Sequence, residues 1–112
     1  MDLDVRKRSD ISVLRMRGDL KMGSPVDNLR QAIEEILQAG ESRMVLNLTD
    51  VPMIDSSGIG ILVRSLTTVK QRGGAVKLVS PSKFALQTLK LVGVANLFEI
   101  FDDEDAAVGS FA

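Results

Sequence analysis

Apolar and polar residues alternate with two different periods along the chain. Strand-like runs occupy residues 3–8, 11–17, 43–48, 75–79 and 98–101. Apolar residues three or four positions apart, the spacing of a helix, fill the segments that follow all of these runs except the first. The pattern predicts the order β-β-α-β-α-β-α-β-α, an α/β fold with right-handed crossovers. The leading hairpin should make the sheet mixed.

Capping residues mark where the helices begin and end. Ser24-Pro25 predicts the start of the first helix, with Ser24 as the cap and Pro25 at the first helical position. Gly40 is expected to end that helix. Residues 80–82 open the third helix in the same way, and Gly93 ends it.

The third helix carries apolar residues on two sides. Ala85, Leu89 and Val92 form a stripe that we expect to face the core. Phe84 and Leu91 lie seven residues apart on a different side. We expect these two side chains to pack under the final helix, and the alternative is an exposed surface for a partner.

Composition narrows the classes of function. The chain has 112 residues, 45% of them hydrophobic, and a net charge of −1, which predicts one soluble globular domain over residues 1–112. We expect no nucleic-acid partner, because no basic block is present. We also expect no membrane span, no signal peptide and a cytoplasmic location. The oligomeric state stays open between a monomer and a weak dimer.

The chain contains neither His nor Cys. A Ser-His-Asp triad, thiolate chemistry and the usual zinc sites are therefore excluded within this chain. We expect no enzymatic activity, no metal site and no cofactor.

The segment at residues 54–60 reads IDSSGIG and lies where a strand pattern gives way to a helix pattern. In the simplest interpretation, Asp55 or Ser56 caps the helix. A serine nucleophile is disfavoured because GxSxG and His are both missing, and the phosphate-binding P-loop motif is missing as well. In the third interpretation, a kinase phosphorylates an exposed serine, adding about −1.5 to −2 charges. Local chemistry alone does not decide between the helix cap and the phosphorylated serine.

The whole chain resembles the anti-sigma-factor antagonist family, the bacterial STAS domain. The resemblance is carried by GDL at 18–20, VLNLTDVPMIDSSGIGIL at 45–62, RGG at 72–74, the SPS-opened helix and LVGVANLFEIF at 91–101. It implies the STAS fold, a mixed four- to five-stranded sheet with a parallel core flanked by about four helices. It also implies a binding module without catalytic activity.

The resemblance implies a specific partner and a specific switch. Family members bind an anti-sigma factor that is also a serine kinase with a histidine-kinase-like ATP fold, and binding releases the sigma factor. Phosphorylation of the serine directly after the motif Asp55 prevents binding, and a serine phosphatase restores it. That serine is Ser56, and Ser57 corresponds to a less common acceptor.

The resemblance also implies which residues contact the partner. Lys21 stands where the family often has an acid; it could pair with a partner carboxylate or the phosphate, but we expect a solvated charge. The thioethers of Met22 and Met53 suit an adaptable docking surface, or they fill gaps in the loops. The expected partner-binding set is Asp55, Ser56, Ser57, Gly58, Lys21, Met22 and Met53.

Two other functions remain as alternatives. A STAS domain can also serve as a structural subunit of a lipid transporter or a sensory assembly, without a phosphoserine switch. A small enzyme is disfavoured by the missing His and Cys.

Overall fold

The computed structural model describes residues 2–111. Within that range the predicted element order is confirmed, with one short 3-10 turn added before the last strand. The strands are β1 (Asp2–Arg8), β2 (Ile11–Arg17), β3 (Arg43–Asp50), β4 (Ala75–Val79) and β5 (Glu99–Phe101). The helices are α1 (Ser24–Gln38), α2 (Ser56–Gln71), α3 (Lys83–Val92) and α4 (Glu104–Gly109), and the 3-10 turn is Ala95–Leu97.

The strands form one mixed sheet in the spatial order β1-β2-β3-β4-β5. β1 and β2 pair antiparallel through a hairpin, while β2 to β5 run parallel to one another. The predicted mixed sheet with a parallel core is therefore confirmed. β3, β4 and β5 are each reached by a crossover that contains a helix, as the alternation of periods indicated.

The main core lies between the sheet and the helices α1, α2 and α3. Strand side chains such as Leu14, Leu46 and Leu78 are fully buried against helix side chains such as Leu29 and Leu62. These side chains alternate along the strands with those of the opposite sheet face. The core is largely aliphatic, as the composition required, and includes one buried aromatic side chain, that of Phe98, among residues 2–111.

The opposite face of the sheet is covered only in part, by α4. Val13, Val45 and Val79 pack there against Ala107 of α4. Towards the carboxyl ends of the strands, that face carries polar residues such as Arg17 and Thr49 around an open groove of about 540 Å³. This part of the sheet is exposed to solvent.

Polar contacts fasten the start of α4 to the sheet. The Glu104 carboxylate accepts bonds of 2.9 and 2.8 Å from the Arg15 guanidinium and one of 3.2 Å from the Asn47 amide. Arg8 forms an ion pair with the same carboxylate at 3.3 Å. The hydrogen bonds from Arg15 are the largest cause that lowers the pKa of Glu104 to about 2. Glu104 therefore stays ionised over the physiological range.

A second contact fastens the end of α4. The Nζ of Lys77, which is 7% exposed, donates a 2.6 Å bond to the Ser110 hydroxyl. The same ammonium lies 4.2 Å from the centroid of the Phe111 ring, a cation–π distance. This buried lysine links the sheet to the last helix.

The prediction for the start of α1 is wrong by one residue. Gly23 occupies the cap position with φ of 105°, no side chain caps the helix, and Ser24 is already helical. The chain leaves the preceding loop through a left-handed conformation that favours glycine, so the loop ends before the serine. Pro25 is accordingly the second helical residue, one position later than predicted, and still lies in the first turn. The prediction that Gly40 ends α1 agrees with the structure, in which Gly40 lies just beyond the helix with φ of 84°.

The prediction for the outer side of α3 is also wrong. Ala85 and Leu89 are buried as expected, but Val92 is exposed. Phe84 and Leu91 are 54% and 83% exposed and do not pack under the final helix. The physical reason is topological: α3 joins the core on one sheet face, whereas α4 packs on the other.

The predicted caps of α3 are confirmed. The Ser82 hydroxyl accepts from the Ala85 N–H at the start of the helix, and Gly93 adopts a left-handed conformation at its end. Within residues 2–111, no helix combines the length and the apolar character that crossing a bilayer requires.

Candidate functional site

The IDSSGIG segment lies at the carboxyl edge of the parallel strands. β2 and β3 are parallel neighbours, so the segments that follow them, residues 18–23 and 51–55, leave the sheet at the same edge. Leu20 and Ile54 pair as an isolated parallel bridge between the two loops. The IDSSGIG segment and the loop after β2 therefore meet at this edge, which is the candidate site.

Backbone hydrogen bonds hold the two loops together. The N–H of Leu20 donates to the Met53 carbonyl at 3.0 Å, and the N–H of Asp55 donates to the Leu20 carbonyl at 3.2 Å. Closer to the sheet, the N–H of Gly18 donates to the Asp50 carbonyl at 2.9 Å. The segment from Asp50 to Asp55, which includes the start of the motif, is therefore attached to the loop after β2.

The Asp55 carboxylate completes this attachment. Its Oδ1 accepts from the Gly58 N–H at 2.8 Å, which caps α2, and its Oδ2 accepts from the Met22 N–H at 3.0 Å. The bond from Met22, then that from Gly58, lowers the pKa of the Asp55 carboxyl below its usual range, and the charge of Lys21 adds a smaller effect. Asp55 is thus an ionised link between two loops.

Gly58 allows α2 to approach the loop after β2. A Cβ at this position would lie 2.4 Å from the Leu20 carbonyl oxygen and 2.7 Å from the Cγ2 of Ile54. No side chain fits there without a movement of the backbone. Gly60, two residues later, has no such neighbour within 4 Å. The first glycine of the motif is therefore a requirement of close packing, and the second is not.

The structure separates the two candidates for the helix cap. Asp55 is the cap of α2, and Ser56 is its first helical residue. The Ser56 side chain is exposed to solvent. It lies among the N–H groups of the first turn, which have no partner within the helix. Ser56 is accordingly not needed to start the helix.

Ser57 faces a different environment from Ser56. It is half-buried and lines a cleft of about 240 Å³ between α1 and α2, together with Met22, Arg30 and Arg64. Arg30 is paired with Asp27 at 2.9 Å. Neither arginine was predicted. The seven-residue spacing of Ser57 and Arg64 places these two on one face of α2, whereas nothing in the sequence brings Arg30 of α1 to them.

Exposed side chains surround Ser56. Lys21 and Met53 are exposed, and Met22 is 74% exposed. The Ser82 hydroxyl, which caps α3, donates a 2.9 Å bond to the Pro52 carbonyl and so ties α3 to the same loop. We call residues 21–22 and 53–57 the loop edge. It brings together all of the predicted partner-binding residues except Gly58, which lies buried beneath it.

The loop edge is suited to recognition. Both Asp55 oxygens already accept backbone hydrogen bonds, so this carboxylate is poorly placed to act as a base for Ser56. Among residues 2–111 no group of three or more acidic residues is arranged to hold a metal ion. The loop edge is a firmly held surface with the exposed Ser56 hydroxyl, two exposed thioethers and one exposed lysine.

Comparison with known families identifies the fold. A family model described as the STAS domain matches residues 2–107. The chain belongs to the STAS-domain family. The resemblance carried by the IDSSGIG segment and the flanking motifs is thereby confirmed.

Several proteins similar to this STAS domain are described as anti-sigma factor antagonists of bacteria. The anti-sigma-B factor antagonist of Bacillus subtilis is 25% identical over 109 residues, covering 96% of this chain and 97% of the relative. A Thermotoga maritima protein described as a candidate anti-sigma factor antagonist has a crystal structure that superposes with a TM-score of 0.89 at 25% identity, covering 96% of this chain and 92% of that one.

The anti-sigma factor antagonist SpoIIAA has the same fold. Its unphosphorylated form superposes with a TM-score of 0.85 at 19% identity, covering 98% of this STAS domain and 96% of SpoIIAA. At this identity the likeness establishes the architecture alone. The predicted STAS fold, with five strands and four helices within residues 2–111, is confirmed.

Proposed function

We propose that this STAS domain is an anti-sigma-factor antagonist and that phosphorylation of Ser56 is its switch. It acts in the cytoplasm, where it binds an anti-sigma factor that is also a serine kinase with a histidine-kinase-like ATP fold, and this binding releases the sigma factor. Phosphorylation of Ser56 ends the binding, and a serine phosphatase restores it. The names of the curated relatives, which match this chain over most of its length, support the class of function.

The observation that carries the proposal is the difference between Asp55 and Ser56. Asp55 caps α2 and links the two loops, with both oxygens occupied by backbone N–H groups. Ser56 is the next residue, is exposed, and is not the cap. A kinase can modify such a serine without removing any contact that holds the fold.

The loop edge supplies the docking surface. Lys21, Met22 and Met53 are exposed around Ser56, and the methionines provide adaptable apolar contacts. Ser57 contributes a half-buried hydroxyl at the border of the cleft. Gly58 acts through position: its lack of a side chain lets α2 and the loop after β2 meet, which holds the surface in one conformation.

The phosphate changes the charge of this surface more than its shape. It brings about −1.5 to −2 charges near neutral pH. Asp55, whose pKa is lowered mainly by the Met22 bond, is already ionised beside it. Backbone N–H groups at the start of α2 that do not donate to Asp55 can donate to the phosphate oxygens, so the fold tolerates it. A partner surface that fits the neutral serine then meets concentrated negative charge, and each 1.4 kcal/mol lost is about tenfold in affinity.

The decisive experiment measures affinity and stability on the same variants. The partner is the anti-sigma factor recovered with this protein by affinity capture from its own cells. We expect Ser56→Asp to bind this partner at least about tenfold more weakly than the unmodified protein, because it brings a negative charge to the loop edge. Ser56→Ala should bind as tightly as the unmodified protein and resist the kinase.

Stability provides the control. Because Asp55 is the cap, both Ser56 variants should unfold within about 0.5 kcal/mol of the unmodified protein. Equal affinities for all three proteins would contradict the switch.

A second experiment locates the phosphate. After incubation with the partner kinase and ATP, peptide mass spectrometry should find one phosphate on Ser56. The matched variant Ser57→Ala should still be modified, and Ser56→Ala should not. Modification of Ser57 alone, or of a residue outside the loop edge, would contradict the assignment.

A further inference from the structure

β1 is an edge strand with one side unpaired. It lies at the end of the sheet order and pairs only with β2 among residues 2–111. Most of its residues are exposed, and the apolar Val5 at its centre is 44% exposed. Such an edge presents unpaired backbone groups to another strand.

The hairpin determines which backbone groups are unpaired. Arg8 pairs with Ile11 across a two-residue turn that begins at Ser9 with φ of 60°. The two residues that flank a two-residue turn form a pair that exchanges both backbone hydrogen bonds. Along the strand, such hydrogen-bonded pairs alternate with pairs that are not hydrogen-bonded. The even-numbered residues of β1 therefore bond to β2. Leu3, Val5 and Lys7 direct their N–H and C=O groups to the open edge.

The charges of β1 are self-complementary about Val5. The strand reads DLDVRKR from residue 2 to residue 8, acidic before the centre and basic after it. When a second copy is laid antiparallel with the two Val5 residues opposite each other, Asp4 stands opposite Arg6 and Asp2 opposite Arg8. Leu3 stands opposite Lys7. No two like charges face each other in this register.

We propose that two copies of this chain associate through antiparallel pairing of their β1 strands, centred at Val5. The two five-stranded sheets then join into one continuous sheet. The open groups of Leu3, Val5 and Lys7 form the hydrogen-bonded pairs between the copies. Asp4 and Arg6 fall in the non-hydrogen-bonded pairs, where side chains approach most closely.

The charges also select this register over its neighbours. A shift of two residues that preserves the backbone pattern places Asp4 against Asp4 or Arg6 against Arg6, and like charges opposite each other are unfavourable. If the two β1 strands paired parallel and in register, every charged residue would lie opposite the identical residue of the other copy, and so opposite a like charge. Asp4 and Arg6 form an exposed ion pair within one strand at 2.9 Å, so the same groups are available to the second copy.

The interface is short, so the dimer is reversible. A single seven-residue strand per copy buries less surface than standard stable interfaces do. β1 is separated from β3, and from the segment that follows it, by β2. The association is therefore independent of the proposed switch, and its failure would leave that proposal untouched.

The test uses charge reversal on the full chain, measured by sedimentation velocity from low micromolar to near-millimolar concentration. The unmodified protein should shift from monomer to dimer as concentration rises. Asp4→Arg and Arg6→Asp, each alone, should weaken the dimer by about tenfold or more, because each sets like charges opposite each other at two symmetric places. Both residues are exposed, so the fold should tolerate either change.

Two further samples should restore opposite charges across the interface: the double variant and a mixture of the two single variants. The double variant with Asp4→Arg and Arg6→Asp should dimerise as the unmodified protein does. An equimolar mixture of the two single variants should form a heterodimer although each alone is monomeric. Val5→Pro should abolish the dimer and keep the fold by circular dichroism, because it removes an N–H from the open edge.

Several outcomes would overturn the proposal. A protein that stays monomeric at all concentrations does not use this edge for self-association. Dimers that form equally well in the single-charge variants, or that persist in Val5→Pro, use a different surface. Failure of the mixture to form a heterodimer would exclude the antiparallel register.

Discussion

Two carboxylates with a lowered pKa hold two different regions of this STAS domain. Asp55 accepts hydrogen bonds from the backbone N–H groups of Met22 and Gly58. Glu104 accepts from the side chains of Arg15 and Asn47, and its own side chain is only 12% exposed. The first links two loops at an exposed edge, and the second attaches a short helix to the sheet.

The difference between the two carboxylates separates the proposed binding surface from an attachment within the fold. Around Glu104 the polar groups satisfy one another and little remains for a ligand. Around Asp55 the backbone supplies the donors, so the neighbouring side chains of Lys21, Met22 and Ser56 remain exposed. A surface built on backbone contacts can present its side chains to a partner without giving up its own stability.

The largest expected effect comes from filling the space at Gly58. Gly58→Ala should lower the free energy of unfolding by about 1–3 kcal/mol, because its Cβ would lie 2.4 Å from the Leu20 carbonyl oxygen. Gly60→Ala is the matched control and should raise it by about 0.4–1 kcal/mol, since no atom lies within 4 Å. Urea unfolding measures both. Equal effects of the two substitutions would show that the close contact is unimportant.

The next effect comes from Asp55 itself. Asp55→Ala should cost about 1–2 kcal/mol, because the helix cap and the link to Met22 are lost together. It should also weaken partner binding, since the loop edge is no longer held. The control is Asp103→Ala, which removes the cap of α4 and leaves the loop edge intact. If both variants weaken partner binding equally, the comparison between the two regions fails.

The Glu104 region should respond to pH. The folded pKa of Glu104, about 2, lies below its ordinary value of 4.5, so its contribution is complete above pH 4.5 and is lost as the pH falls towards 2. Glu104→Gln should therefore be less stable than the unmodified protein by about 1 kcal/mol at pH 7, and the gap should close in acid.

Urea midpoints at several pH values measure this gap. Glu34→Gln, on the exposed side of α1, controls for the removal of one negative charge. A gap for Glu104→Gln that stays constant down to pH 2 would show that the Arg15 contact does not depend on ionisation.

The smallest effect is expected at Lys21. Its charge lowers the pKa of Asp55 less than the backbone bonds do, so Lys21→Gln should raise that pKa while leaving it below the ordinary value. NMR titration of the Asp55 carboxyl measures this. Lys21→Asp should change partner affinity by no more than about 1 kcal/mol, the upper range for an exposed pair. A larger loss would mean that Lys21 contacts the partner directly.

Much of the fold could be predicted because the spacing of apolar residues in each segment matches the strand or helix that the segment forms. The helix caps at Ser82 and Gly93 and the hairpin follow from residues within a few positions of one another. The parallel order follows from the alternation of strand and helix periods. Ser24 failed as a cap because the loop after β2 ends one residue earlier, at Gly23, whose φ of 105° favours glycine. Phe84 and Leu91 failed because spacing along a helix does not reveal which sheet face a later helix covers.

The candidate site was predictable in its residues but not in its roles. The motif indicated Asp55, Ser56 and Gly58, yet only the structure assigns the cap to Asp55 and the close contact to Gly58. The second bond of Asp55, to a backbone N–H 33 positions away, has no signal in the sequence. The same holds for Lys77, whose contacts with Ser110 and Phe111 depend on packing alone.

The double attachment of Asp55 also has a kinetic consequence. Loops already held by backbone bonds need little ordering before they meet a partner, so association should proceed at about 10⁵–10⁷ M⁻¹s⁻¹, the ordinary range for preformed surfaces. Changes of affinity at such a surface appear mainly in the rate of dissociation. Adding a phosphate to Ser56 would then act chiefly by shortening the residence time of the partner, and encounters would remain nearly as frequent as before.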